Sequence, residues 1–169
     1  LQNASTVNPF FISSISLATG PSAISFGDGA LGAALVFNTV SPVFLKKSRH
    51  VLHQQYESSS KTVILNYKSN YSTKKIAFIS GFSIRSIDNL KMGSTRLHGY
   101  QDWGKESIIS NGKEQLYTNY NQSDFIHKTL FKLNTKLNLL LNTQYSTSSN
   151  INRFDKLNDF SSEEKKYSD

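Results

Sequence analysis

The sequence predicts an all-β chain of antiparallel strands, and three observations support this. Apolar and polar residues alternate with a period of two over several stretches of about ten residues, as in a strand with two different faces. The hydrophobic content is only 37%, yet the chain holds 8 Tyr and 11 Phe, and Ser, Asn and Thr, which are poor helix formers, fill much of the rest. No run of about 18 apolar residues is present, so a transmembrane helix is not expected.

Residues 1–42 differ in composition from the rest of the chain. They contain all three prolines and a single charged residue, Asp28. Small residues and turn formers favour a tightly turned segment. The apolar run from Ala33 to Phe37 predicts a short buried strand near its end. Residues 43–49, which include Lys46, Lys47 and Arg49, are interpreted as a basic linker.

Residues 50–169 are expected to supply about five strands. The first, over 51–56, has the weakest alternation. In 62–71, Val63, Leu65 and Tyr67 alternate with Thr62, Asn66 and Lys68. The stretch 75–86 places Ile76, Phe78, Phe82 and Ile84 on one face, and Ala77, Gly81, Ser83 and Arg85 on the other. Each of these strands therefore has one apolar and one polar or small face.

Two further strands are predicted near 124–133 and 137–147. In the first, Phe125, Phe131 and Leu133 share a face with His127 and Thr129, while Ile126 and Leu130 share the other with Lys128 and Lys132. In the second, Leu137, Leu139, Leu141 and Tyr145 oppose Asn138, Asn142 and Gln144. The same period of two therefore continues to the last strand.

The predicted connections are of two kinds. A few residues join the strands of each hairpin, whereas long polar stretches cover residues 87–122 and 148–169. Short turns at one end and long loops at the other are typical of outer-membrane β-barrels. A loop of this length would be unusual in a compact soluble domain.

Several kinds of chemistry are not expected. The chain has no Cys, which excludes disulfides and Cys-containing zinc sites. His50 and His53 would point to opposite faces of a strand, so a shared metal is not predicted. Neither a catalytic triad nor a phosphate-binding loop is recognised, and no enzymatic activity or cofactor is predicted. The net charge of +7 is scattered, which favours lipid phosphates over nucleic acid as a partner.

The segment from Asn8 to Pro42 resembles the end of the plug domain of TonB-dependent outer-membrane receptors. That family shows an isoleucine-containing strand, Gly-Pro, a small residue, an aromatic-Gly pair, a Gly-Ala step and Gly-Gly before the last strand. The matching positions here are Ile15, Gly20, Pro21, Ser22, Ala23, Phe26, Gly27, Gly29, Ala30, Leu31, Gly32 and Ala33, with Asn38 and Thr39 where the family leaves the plug. A second, shorter match covers Gln144 to Ser146 and Arg153 to Leu157, and it is similar to haem and vitamin receptors.

The resemblance implies a domain organisation and a location. Residues 1–42 would be the C-terminal part of a plug domain, 43–49 the linker, and 50–169 the first strands of a transmembrane barrel of roughly 22 strands. The chain would then be a fragment of a receptor in the bacterial cell outer membrane. Two positions depart from the family pattern. Ser16 and Thr19 stand where many relatives carry an acidic and a basic residue, so a charged lock between plug and barrel is in doubt.

The resemblance also implies a function, which is energised uptake of a scarce ligand such as haem, cobalamin or an iron chelate. The partners would be the TonB inner-membrane complex, the ligand and the outer-membrane lipid. Candidate ligand contacts in the long loop are His98, Tyr100 and Trp103, because aromatic rings stack on ligands and His can ligate haem iron. Tyr67, Tyr71, Phe82 and Tyr145 are candidates for an aromatic girdle at the bilayer interface.

Two other functions stay open from the sequence. One is a soluble, basic β-sheet module that binds glycans or nucleic acid through loop aromatics. The other is a non-transporting receptor remnant whose open strand edges pair with another chain.

Overall fold

The protein is mostly antiparallel β-sheet, which confirms the predicted all-β class. The structure is a computed structural model that describes residues 7–27, 32–45, 47–91, 110–111, 114–152, 160–161 and 164–165. Among these residues, no helix has both the length and the apolar character needed to cross a membrane.

The N-terminal hairpin pairs β1 (Ile12–Thr19) with β2 (Ala33–Thr39) in antiparallel register, from Ile12 opposite Thr39 to Thr19 opposite Ala33. A 3₁₀ turn at Pro9–Phe11 precedes β1, and a 3₁₀ helix at Gly20–Phe26 follows it. Gly20 and Gly27 have φ values of 63° and 124°, which L side chains rarely adopt. These two glycines therefore have a conformational reason to stand at the ends of the 3₁₀ helix.

A five-stranded sheet forms the largest element. Its strands are β3 (Arg49–Glu57), β4 (Thr62–Ser72), β5 (Ile76–Ile87), β9 (Tyr120–Lys132) and β10 (Asn138–Ser148), in the order β10-β9-β5-β4-β3. All five strands were predicted, and β9 begins four residues earlier than expected. Short turns join β4 to β5 and β9 to β10, where the Leu133 amide donates to the Leu137 carbonyl at 3.0 Å.

The long predicted loop and the tail hold short strands of their own. β6 (Leu90–Lys91), β7 (Ser110–Asn111) and β8 (Glu114–Gln115) form a small sheet in the order β6-β8-β7. In the tail, β11 (Phe160–Ser161) pairs antiparallel with β12 (Glu164–Lys165). Local antiparallel pairing therefore satisfies backbone groups within the stretches that were predicted as long polar loops.

One expectation about burial is corrected. The run Ala33–Phe37 does form a strand, but it is not buried, since Leu35 is 54% exposed. Leu35 pairs with Leu17 of β1, which is also exposed. Arg49, the last residue of the segment interpreted as a linker, belongs to β3.

The contacts group the chain into two units. One comprises Leu1–Val51, Tyr67–Phe82 and Asp124–Tyr145, and so contains the hairpin together with parts of β4, β5, β9 and β10. The other comprises Leu52–Asn66, Ser83–Ser123 and Ser146–Asp169.

In the central strands of the sheet, the covered face carries most of the buried polar side chains, together with the buried apolar residues Ala77, Ile79 and Ile126. Among the described residues, the buried polar side chains of the central strands are Thr62, Asn66, Asn70, Ser83, Gln122, Asp124 and Lys128. On the opposite faces of the same strands, the exposed apolar and aromatic side chains are Val63, Leu65, Tyr67, Tyr71, Ile76, Phe82, Ile84 and Phe125. Soluble proteins place most large apolar residues inside and leave Lys, Asp and Asn outside. The predicted alternation is therefore present, with the polar face as the covered one.

Candidate functional site

The candidate site is the contact between the N-terminal hairpin and the polar face of the sheet. Asn8 forms its first part, at the entry to the 3₁₀ turn. Its side-chain oxygen accepts a hydrogen bond from the Phe10 amide at 2.9 Å, and its Nδ2 donates to Asp124 Oδ2 at 2.7 Å. Both side chains are buried. A hydrogen bond to a buried carboxylate is stronger than one between neutral groups, so this pair ties residue 8 to β9.

Phe11 forms the apolar part of the same contact. Its side chain is buried and lies against Gly81 of β5. A Cβ added at Gly81 would overlap the Phe11 ring and approach Ile126 Cγ2 to 3.0 Å. Gly81 therefore leaves the space into which the Phe11 ring fits, a role that only a residue without a side chain can fill.

The end of β2 is attached to β9 through Lys128. The Lys128 Nζ donates to Thr39 Oγ1 at 2.7 Å, and it lies 3.4 Å from the Thr39 carbonyl oxygen. Lys128 is buried despite its charge. Because a buried ammonium needs hydrogen-bond partners, these two oxygens offset the free-energy cost of removing the Lys128 ammonium from water.

Contacts with β4 complete the attachment. The Lys68 Nζ lies 4.7 Å from the centre of the Phe10 ring, in cation–π geometry. Farther along the chain, the Leu45 amide donates to Ser72 Oγ at 2.8 Å, and this hydroxyl donates to the Leu45 carbonyl at 3.0 Å. The hairpin and the segment that follows it therefore bind side chains of three neighbouring strands, β4, β5 and β9.

A cavity of about 300 Å³ remains within this contact. It is lined by Ser13, Val40, Ser41, Arg49, Val51, Lys68, Asn70 and Ile79. The lining thus combines two cations, two hydroxyls and an amide with three aliphatic side chains.

The opposite face of the sheet carries a row of aromatic rings. Tyr71 and Phe78 lie 5.3 Å apart, Phe78 and His127 6.0 Å, and His127 and Phe125 6.5 Å, measured between ring centres. The two nitrogens of His127 contact Ser80 Oγ at 2.8 Å and Thr129 Oγ1 at 3.0 Å. His127 is thus a strand residue with both nitrogens engaged by neighbours on its own face.

The second unit contains polar contacts of its own. Ser83 Oγ donates to Asn66 Oδ1 at 2.6 Å, and Asn66 Nδ2 lies 3.2 Å from His53 Nδ1. In the first unit, His50 instead contacts the Tyr67 hydroxyl at 2.8 Å. The two histidines therefore have different partners. No group of three His, Cys, Asp or Glu side chains that could hold a metal is found in the described part of the chain.

The predicted plug-motif residues lie in and around the 3₁₀ helix. Gly20, Pro21 and Phe26 are part of it, Gly27 follows it, and Gly32 precedes β2, where the Gly32 carbonyl accepts the Gly20 amide at 3.3 Å. Gly29 lies outside the described residues, as do the candidate ligand contacts His98, Tyr100 and Trp103. Ser16 and Thr19 are exposed on β1.

Sequence reasoning did not identify the residues that make the hairpin contact, namely Asn8, Phe11, Thr39, Gly81, Asp124 and Lys128. One signal was available, since a charged side chain that shares a strand face with an apolar residue such as Ile126 is covered only where it has a hydrogen-bond or charge partner. Asp124 and Lys128 are such residues in β9. Which residues they bind depends on the tertiary structure alone.

Comparisons of the chain with protein-family models, with curated proteins and with solved structures find no match.

Proposed function

We propose that the chain is part of a TonB-dependent outer-membrane receptor. In this proposal the five-stranded sheet is a section of the barrel wall, and the N-terminal hairpin is the last part of the plug. The intact receptor takes up a scarce ligand such as haem, cobalamin or an iron chelate.

The observation that carries the proposal is the distribution of polar and apolar side chains over the two faces of the sheet. Apolar and aromatic side chains of β4, β5 and β9 are exposed, while polar side chains of the same strands are buried. A transmembrane barrel requires this arrangement, because lipid surrounds its outer face and its inner face is polar. In water, a patch of this extent would promote aggregation.

The hairpin contact supports the plug assignment. The hairpin covers the polar face through Asn8, Phe11 and Thr39, which bind β5 and β9 by two hydrogen-bonded pairs and one ring contact. Asn8 and Thr39 are thus neutral partners of Asp124 and Lys128. In this proposal they hold the plug against the wall, although Ser16 and Thr19 stand where many relatives carry charged residues. The contacts that attach the plug to the barrel wall would then be those of Asn8 and Thr39.

Two further features fit a piece of a larger assembly. Leu17 and Leu35, paired across the hairpin, are 65% and 54% exposed and offer an apolar surface for the rest of a plug sheet. In the described part of the chain, β3 and β10 are the edges of the five-stranded sheet. Open edges are not stable in lipid, so further strands must pair with them in a closed barrel.

The transport step follows from the family resemblance. The ligand would bind extracellular loops and the plug, with His98, Tyr100 and Trp103 as candidate contacts. The inner-membrane TonB complex would then pull on the plug, and the ligand would pass inward. In this mechanism the contacts of Asn8 and Thr39 with the wall resist the pull.

Nitroxide labelling tests which medium surrounds the outer face. The chain has no Cys, so single-cysteine variants label one position each. We expect labels at Val63→Cys, Leu65→Cys and Ile84→Cys, in protein expressed from its own gene and reconstituted in vesicles, to collide with oxygen but not with a water-soluble nickel chelate. A label at Thr73→Cys, in the β4–β5 turn, is the control that should collide with the chelate.

Two outcomes would contradict the proposal. Equal chelate access at Leu65 and Thr73 would place the outer face in water and favour the soluble binding module. A gene that encodes no further plug or barrel strands on either side of this sequence would remove the transporter and leave the receptor remnant.

A further inference from the structure

The cavity between the hairpin and the sheet is an unassigned feature with an unusual lining. Arg49 and Lys68 both border it, and no residue in its lining is acidic. Within the described residues, neither cation takes part in an ion pair, whereas Lys61 pairs with Asp88 at 3.3 Å. Two cations that share a cavity without a carboxylate leave an excess of positive charge, which attracts an anion.

Asn70 supplies an independent observation. Its side chain is only 8% exposed, and among the described residues its Oδ1 has no hydrogen-bond partner. Leaving a buried acceptor unpaired is unfavourable, and such a group in a native protein calls for an explanation. A ligand that donates a hydrogen bond to Asn70 would supply the missing partner.

The remaining lining residues and the volume restrict the hydrogen-bonding groups and the size of the ligand. Ser13 and Ser41 add hydroxyls, but the Ser13 hydroxyl already donates to the Asn38 carbonyl at 2.9 Å, so it can only accept from a ligand. Val40, Val51 and Ile79 add a small apolar surface. The volume of about 300 Å³ suits a small molecule and not a peptide or a nucleic acid.

We propose that this cavity binds a small hydroxycarboxylate. Its carboxylate would contact Arg49 and Lys68, because guanidinium and ammonium groups form strong charge-assisted hydrogen bonds with carboxylates. Its hydroxyl would donate to Asn70 Oδ1. The site is defined by contacts within the hairpin and the sheet, so it does not depend on what surrounds the outer face.

The test compares L-malate with succinate, which differ by one hydroxyl, by isothermal titration of the full chain in detergent micelles. We expect saturable malate binding, with succinate binding about tenfold more weakly because it leaves Asn70 unpaired. Arg49→Gln should weaken malate binding about tenfold, through loss of a charged hydrogen bond. Lys74→Gln, which removes an exposed cation outside the cavity, is the matched control and should leave binding unchanged.

A second variant tests the role of the amide. Asn70→Leu replaces the unpaired group with an apolar side chain of similar size, which the fold should tolerate. In this variant malate and succinate should bind with equal affinity, while Arg49→Gln retains the preference for malate. The proposal is overturned if wild-type protein shows no saturable malate binding, if malate and succinate bind it equally, or if Arg49→Gln and Lys74→Gln behave alike.

Discussion

At position 81, a single hydrogen atom in place of a side chain lets the hairpin approach the sheet. The Phe11 ring occupies the space next to Gly81, with Ile126, which is 1% exposed, beside it. No sequence pattern distinguishes this glycine from one needed for a turn, because its importance comes from a residue 70 positions away in the chain. Its backbone does not adopt a positive φ.

Gly81→Ala should therefore destabilise the protein. The added methyl overlaps the Phe11 ring, and overpacking of this kind costs about 1–3 kcal/mol. Urea unfolding followed by tryptophan fluorescence gives the free energy of unfolding. The second substitution Phe11→Leu should remove most of the additional cost, because the smaller side chain leaves room for the methyl. An equal cost of Gly81→Ala with Phe and with Leu at position 11 would show that the contact does not form.

At the scale of elements, the ends of β4 and β5 are joined by side chains as well as by the ladder. Lys61, next to β4, pairs with Asp88, next to β5, and the Asp88 amide donates to the Ser60 carbonyl at 3.0 Å. The Asn89 amide donates to Asp88 Oδ1 at 2.8 Å. This hydrogen bond, together with Lys61, lowers the pKa of Asp88 below its ordinary value.

The lowered pKa gives a pH dependence of stability. Because the folded-state pKa lies below the unfolded value, the Asp88 carboxylate stabilises the fold above pH about 4. That contribution is lost as the pH falls through the folded-state pKa. Asp88→Asn should therefore have a lower melting temperature than wild type at pH 6, and the difference should disappear in strong acid.

The matched variant Lys61→Met separates the ion pair from the backbone hydrogen bond. It should remove part of the pH dependence, since the Asn89 amide still donates to Asp88. A difference between wild type and Asp88→Asn that persists unchanged at pH 2 would show that Asp88 acts by packing and not by charge.

At the scale of the whole molecule, the medium around the exposed apolar face of the sheet distinguishes a membrane protein from a soluble one. Leu65, near the middle of β4, is 37% exposed. Leu65→Arg should cost about 2–4 kcal/mol if this position meets the middle of a bilayer. The same change on a surface in water should stay within about 0.5 kcal/mol.

The measurement is urea-dependent folding into lipid vesicles, with protein expressed from its own gene. Thr135→Arg, in the exposed β9–β10 turn, adds the same charge away from the proposed hydrocarbon region and should have little effect. Equal, small effects of the two substitutions would place Leu65 in water.

Local chemistry was enough to predict the strands. Alternation between Val63 and Tyr67 or between Ile76 and Ile84 arises because successive side chains of a strand point to opposite faces, so the all-β class and all five strands of the sheet could be predicted. Tyr71 and Phe82, two of the candidates for an aromatic girdle, are exposed on the apolar face.

Only the tertiary structure decided which residues meet across the chain. Asn8 and Asp124 lie 116 positions apart, and Thr39 and Lys128 lie 89 apart. The alternation determines that Asp124 and Lys128 share a face, but it carries no information on what covers that face. The partners depend on how the hairpin packs against the sheet, which is set by shape, as at Gly81, and by the need of each buried polar group for a hydrogen bond.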